Sequence, residues 1–170
     1  MAGTIPIRDD FEPQFFCEMG RLVVAAGRLE FVLKLCLKQL LNEGFTDGML
    51  EAEQNRQLSS LCDEVSKEAK RELSPELFDN LSGVIAQIRR LAEQRNDMVH
   101  AMWTNTDSRE PFRVRPELSG KKDSKFVDWS KTELVPLNDL RQIRLQLEEM
   151  WAALQCQRKM WPPAQRTSDF

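Results

Sequence analysis

The chain has 170 residues, with 24 basic and 27 acidic side chains, a single histidine and a net charge of -3. That length suits one domain with a filled core, and 41% apolar with 30% charged residues is ordinary globular composition. The acidic balance excludes a protein that coats nucleic acid by bulk charge, but leaves room for a local basic site.

Seven glycines and no tyrosine, beside many Leu, Glu, Gln and Arg, favour helix. Cys17, Cys36, Cys62 and Cys156 are scattered through helical patterns without zinc-ligand spacing, so reduced apolar side chains are expected, and neither a metal nor a cofactor. The first residues carry no secretory apolar region. The apolar run from Leu22 to Leu41 is broken by Arg28, Glu30, Lys34 and Lys38, which argues against a membrane span. The expectation is a cytoplasmic protein with no membrane partner.

Residues 1–12 read as a flexible leader. Pro13 suits the first turn of a helix that runs to about Asn42, with Gly44 as a left-handed stop. Its apolar stripe is Phe15, Met19, Leu22, Val23, Ala26, Leu29, Leu33, Leu37, Leu40 and Leu41. A second, weaker pattern spans about Asn55 to Glu72. Ser74-Pro75-Glu76 then restarts a helix with a cap, a first-turn proline and an acid. This third helix is predicted to reach about Thr104, and Gly83 within it would admit a close neighbour.

Between 105 and 135 the helical rhythm stops. Phe112-Arg113-Val114-Arg115 and Lys125-Phe126-Val127-Asp128-Trp129 alternate apolar and polar residues, which predicts a small β-hairpin or flap packed through Phe112, Phe126 and Trp129. Arg113, Arg115, Lys121 and Lys122 make the flap locally basic, either a solvated loop or an RNA-contacting surface. A fourth helix is predicted from Leu137 to about Gln157, with Trp151 on its apolar face and Pro162-Pro163 beyond its end. The fold class is all-α: a four-helix bundle with a small β-hairpin or flap between helices three and four. It occupies 13–158, and 159–170 reads as a flexible tail.

Chemistry concentrates in Arg95-Asn96-Asp97-Met98-Val99-His100, late in the third helix. Arg95 interrupts an apolar arc that includes Ile85, Ile88, Leu91, Ala92, Val99 and Met102. A long cation in such a stripe needs a partner or a cleft. Glu30, at the edge of the first helix's stripe, is the carboxylate expected to face it. Asn96 lies four residues before His100 and shares its face. Arg, a carboxamide and His suit metal-independent phosphodiester cleavage: the histidine moves protons near neutral pH, and the arginine holds phosphate. RNA brings its own nucleophile, the 2′-OH. One chain offers one histidine, so a twofold dimer would supply both base and acid.

Arg95-Asn96-x-x-x-His100, flanked by Val99 and Trp103 in a small bundle, resembles the signature of the HEPN superfamily. The resemblance implies a dimeric, metal-independent endoribonuclease of toxin or phage-defence type. The motif would line a shared cleft, with Arg95 and His100 catalytic and Asn96 supporting. It also implies an antitoxin, in some members nucleotidyltransferase-like, as a possible partner. Other members of that family bind nucleotides or RNA without cleaving. The alternative here is therefore a non-catalytic dimerisation or ligand-binding module in which Arg95 is a structural tie to Glu30.

Overall fold

A computed structural model describes residues 10–42, 58–105, 111–114, 117–119, 126–128 and 132–162. The helices are α1 (Pro13–Leu41), α2 (Leu58–Glu72), α3 (Pro75–Val99) and α4 (Leu137–Met160). Local signals place their ends. Pro13 opens α1, and Ser74 caps α3 by accepting a hydrogen bond from the Leu77 N–H at 3.4 Å. The left-handed stop of α1 is Asn42 itself, at φ 56° and ψ 33°; the predicted stop, Gly44, lies outside the described residues. Asparagine tolerates this conformation because its short polar side chain can satisfy nearby backbone.

Each helix packs on its neighbours in chain order, and the ring closes where α4 lies against α1. Leu22, Leu29, Leu33 and Leu37 of α1 meet Leu61 of α2, Ile85, Ile88 and Leu91 of α3, and Leu140, Leu147 and Leu154 of α4 in one buried core. This is the predicted four-helix bundle. Cys36 and Cys62 are buried in it as free thiols, whereas Cys17 and Cys156 are exposed. Burial pushes both inner thiols up to about 12, partly offset by Arg158 at Cys36 and by Arg89 at Cys62.

Several predicted core positions are not core. Val23 and Trp151 are exposed and Met102 lies at the surface, while Trp161, beyond α4, is buried. Helix α4 itself runs to Met160, beyond the predicted Gln157. Gly83 admits no close neighbour, since a Cβ there would meet nothing within 4 Å.

The flap is larger than a hairpin. Helix α3 stops at Val99, and the chain turns at once into β1 (Met102–Asn105). β2 (Pro111–Val114) lies between β1 and β5 (Thr132–Leu134) in an antiparallel sheet, while β3 (Glu117–Ser119) pairs with β4 (Phe126–Asp128). The predicted pairing of 112–115 with 125–129 is thus replaced by two sets of partners. Packing of Phe112, Phe126 and Trp129 lies outside what is described. The sheet is tied to the bundle by Trp103, which donates to the Met98 carbonyl at 2.8 Å and packs edge-on against Phe15 at 5.0 Å. It is also tied by Asn105, which donates to Asp10 at 2.8 Å.

Helices α1 and α4 are further joined by a buried carboxylate. Glu18 is 3% exposed and takes Arg21 at 3.0 Å, Arg144 at 3.2 Å and Arg141 at 3.6 Å. Burial pushes its carboxyl up, but hydrogen bonds and charge from Arg144 and Arg21 outweigh this and hold it below the usual range. A lowered folded value makes this contribution complete above the unfolded carboxyl's pKa and lost as pH falls through the folded one. Glu18→Gln is expected to lower unfolding free energy by about 2–3 kcal/mol in urea titrations at neutral pH. The gap from the parent should shrink as the titration is repeated in progressively more acidic buffer. Gly83→Ala should raise stability by about 0.5–1 kcal/mol, because an exposed helical glycine there is open space with no packing duty.

Candidate functional site

A groove of about 630 Å³ opens where α1, α2 and α3 meet. Ala26 and Glu30 reach it from α1, Leu58, Ser59 and Asp63 from α2, and Arg89, Ala92, Glu93, Arg95 and Asn96 from α3, with His100 at its end. Arg95, Asn96, His100 and Glu30, the residues singled out from the sequence, therefore share one concavity. The reason is local. Arg89, Glu93, Asn96 and His100 recur at steps of four, three and four, one polar face of α3. α3 also ends just where the sheet begins, so His100 caps it: its N–H bonds to the Asn96 carbonyl at 3.0 Å, and its side chain is exposed.

The partnerships inside the groove differ from expectation. Glu30 does not pair with Arg95. Its carboxylate takes Lys34, one turn along α1, at 3.0 Å. Arg89 pairs with Asp63 across α2 and α3. Arg95 donates from Nη1 to the Asn96 side-chain oxygen at 2.8 Å, and its buried Nε has no hydrogen-bond partner. Among the described residues, no carboxylate lies within ion-pair distance of Arg95. Asn96 therefore orients the guanidinium rather than the imidazole. A cation at the edge of a groove, unneutralised and partly desolvated, is a seat for an anion. Glu93 is an exposed carboxylate on the same face.

The basic flap fares differently. Arg113 is only 4% exposed. It engages Glu133, its cross-strand partner in the sheet, and approaches Asp97 at 3.8 Å. Arg113 is thus a buried structural cation, and its placement corrects its reading as an RNA contact. Its side chain lines a second groove, with Gln94, Asp97 and Asp139. Arg115, Lys121 and Lys122 lie outside the described residues.

Reading the sequence missed Arg89, Asp63 and Glu93. The four-three-four spacing back from His100 was the available signal for Arg89 and Glu93. Asp63 could be found only by knowing which face of α2 meets α3. Among the described residues, no group of three or more His, Cys, Asp or Glu side chains could hold a metal ion, and no helix is long and apolar enough to cross a membrane. Comparisons with protein-family models, with characterised proteins and with solved structures return no match.

Because Arg95 has no carboxylate partner among the described residues, Arg95→Met should leave stability within about 1 kcal/mol of the parent or raise it. A loss of several kcal/mol in chemical denaturation would show that a hidden partner depends on it.

Proposed function

We propose that the groove between α1, α2 and α3 binds RNA and cleaves it as a metal-independent endoribonuclease, of the toxin or phage-defence kind that the HEPN resemblance implies. The observation that supports this reading is that His100 shares one groove with Arg95, a cation that no carboxylate among the described residues neutralises. In this reading Arg95 holds a non-bridging phosphate oxygen and offsets charge as the phosphorane forms. His100 exchanges the proton: the 2′-oxygen attacks phosphorus, the bond to the 5′-oxygen breaks, and the leaving oxygen takes a proton. The products are a 2′,3′-cyclic phosphate and a 5′-hydroxyl. One chain supplies one imidazole, and a second copy would supply the other half of the acid–base pair at a shared cleft. Asn96 keeps Arg95 aimed; Glu30, bound to Lys34, borders the groove without neutralising it.

A non-catalytic reading uses the same features: Arg95 holds a nucleotide or RNA phosphate, or a partner protein's acidic group, and His100 is a bystander. One experiment separates the two. The purified protein is incubated with single-stranded RNA and EDTA, beside His100→Ala and Arg95→Ala, and with DNA of the same sequence. The expected result is RNA cleavage with cyclic-phosphate ends, reduced at least about 100-fold in each variant, and intact DNA. Cleavage surviving undiminished in both variants rules out this site. No cleavage, with RNA retention that depends on Arg95 but not on His100, selects the binding module.

A further inference from the structure

Among the described residues, four of the nine large apolar side chains that stand exposed lie on one face of one helix: Phe16 (57%), Val23 (43%), Val24 (54%) and Phe31 (51%), all on α1. At 100° per residue they share a stripe with Gly20 and Gly27, which fall near its centre line. Neither glycine serves the fold. A Cβ at either would meet nothing within 4 Å, and each costs the helix about 1 kcal/mol relative to alanine. Bare backbone between exposed aromatic and branched side chains is the relief that lets a second helix come close.

The order of the stripe identifies the occupant. Read in either direction it is Phe, Gly, Val, Val, Gly, Phe, with spacings of four, three, one, three and four. It is a palindrome about the point between Val23 and Val24. Laid antiparallel on a copy of itself, Phe16 comes level with Phe31 and Gly20 with Gly27 of the second molecule, while Val23 and Val24, on opposite edges of the stripe, each face their own counterpart beside the axis. A twofold contact requires this kind of self-complementarity. Antiparallel packing also sets the helix dipoles head to tail, whereas parallel packing would oppose Glu30 to Glu30 and Lys34 to Lys34. Arg21 and Arg28 flank one edge, and Arg21 is already held by Glu18 at 3.0 Å.

The area is sufficient. Taking about 200 Å² for a whole phenylalanine, Phe16 and Phe31 expose about 200 Å² per chain. Adding the valines, glycines and arginine stems brings the buried total for two chains to the order of 1,000 Å², the lower limit for a specific interface.

We infer that the α1 stripe is the face through which two copies of this chain associate, antiparallel, about a twofold axis beside Val23 and Val24. This names the face for the second copy that the proposed chemistry calls on, and it stands without that chemistry. It does have a consequence for the groove. Ala26 and Glu30 lie on the flank of the stripe, and the twofold keeps that flank on one side of the pair. The two grooves then open on the same side, their Glu30 positions about 20 Å apart along the helix axis.

The test is sedimentation equilibrium of the full chain, with circular dichroism confirming that each variant is folded; every substitution is at an exposed position. The parent should be a dimer with a dissociation constant on the order of 10 μM, fitting an interface of minimal size. Val24→Glu places two carboxylates beside the axis and should weaken association at least about 100-fold. Leu145→Glu, at an exposed apolar site on α4, should leave it unchanged. Phe16→Lys and Phe31→Glu should each weaken the dimer, and the double variant should recover much of the loss, because only the antiparallel register sets the introduced charges opposite each other. A parent that stays monomeric well above that concentration overturns the inference, as does equal dissociation by Val24→Glu and Leu145→Glu. A double variant weaker than either single one overturns the antiparallel register. The readout is mass, so a dimer without RNA cleavage, or cleavage by a monomer, tells the failure of one proposal from the failure of the other.

Discussion

A guanidinium buried between sheet and bundle fixes where α3 stops. Arg113 sits in the middle strand and spends its charge on Glu133 beside it and Asp97 at the end of α3. Taking a cation out of water is tolerable only with such partners, and removing one leaves the rest stranded. Through Asp97 and the neighbouring bond from Trp103 to the Met98 carbonyl, the three-stranded layer holds the last turn of α3 against the core. Asn96 and His100 are part of that turn. The layer therefore sets the position of the groove's polar end without lining it.

Helix content and bundle order were legible because they rest on local chemistry and on period. Pro13, Ser74-Pro75 and the leucine spacing of α1 each act within a few residues, so a linear reading finds them. The sheet was not legible for the opposite reason. β1 has only four residues, directly follows a helix, and begins with Met102-Trp103, which continues an apolar helical pattern equally well. β5, three residues long, shows no period of its own. Their pairing with β2 is decided by contacts distant in sequence, such as Arg113 with Glu133, and the sequence alone does not weigh those against an extra turn of helix.

The candidate site was legible in part. The six-residue stretch around Arg95 stood out because a cation interrupted an apolar arc, and it does border a groove with Glu30. What failed was the assignment of charges to one another. Glu30 had a choice between Arg95 across a helix interface and Lys34 on its own helix, and the nearer cation won. Val23 failed similarly: it fits the period of the buried stripe of α1, but that stripe is narrower than the helix's apolar surface, and the surplus faces outward.

The ring of helices closes between α1 and α4, and that seam is stitched from parts of the chain far apart. Arg144 and Glu18 are 126 residues apart, and Gln39 and Arg158, which exchange hydrogen bonds near the other end of the same seam, are 119 apart. The turn between α2 and α3, by contrast, spans only Leu73 and Ser74. Entropy makes the short hairpin the inexpensive element to assemble and the α1–α4 seam the demanding one, since nearly the whole chain must be gathered before it can form. A pull applied between the start of α1 and the end of α4 would bear on that seam first. The molecule is then best pictured as a clasp whose hinge is the α2–α3 hairpin and whose catch is Glu18.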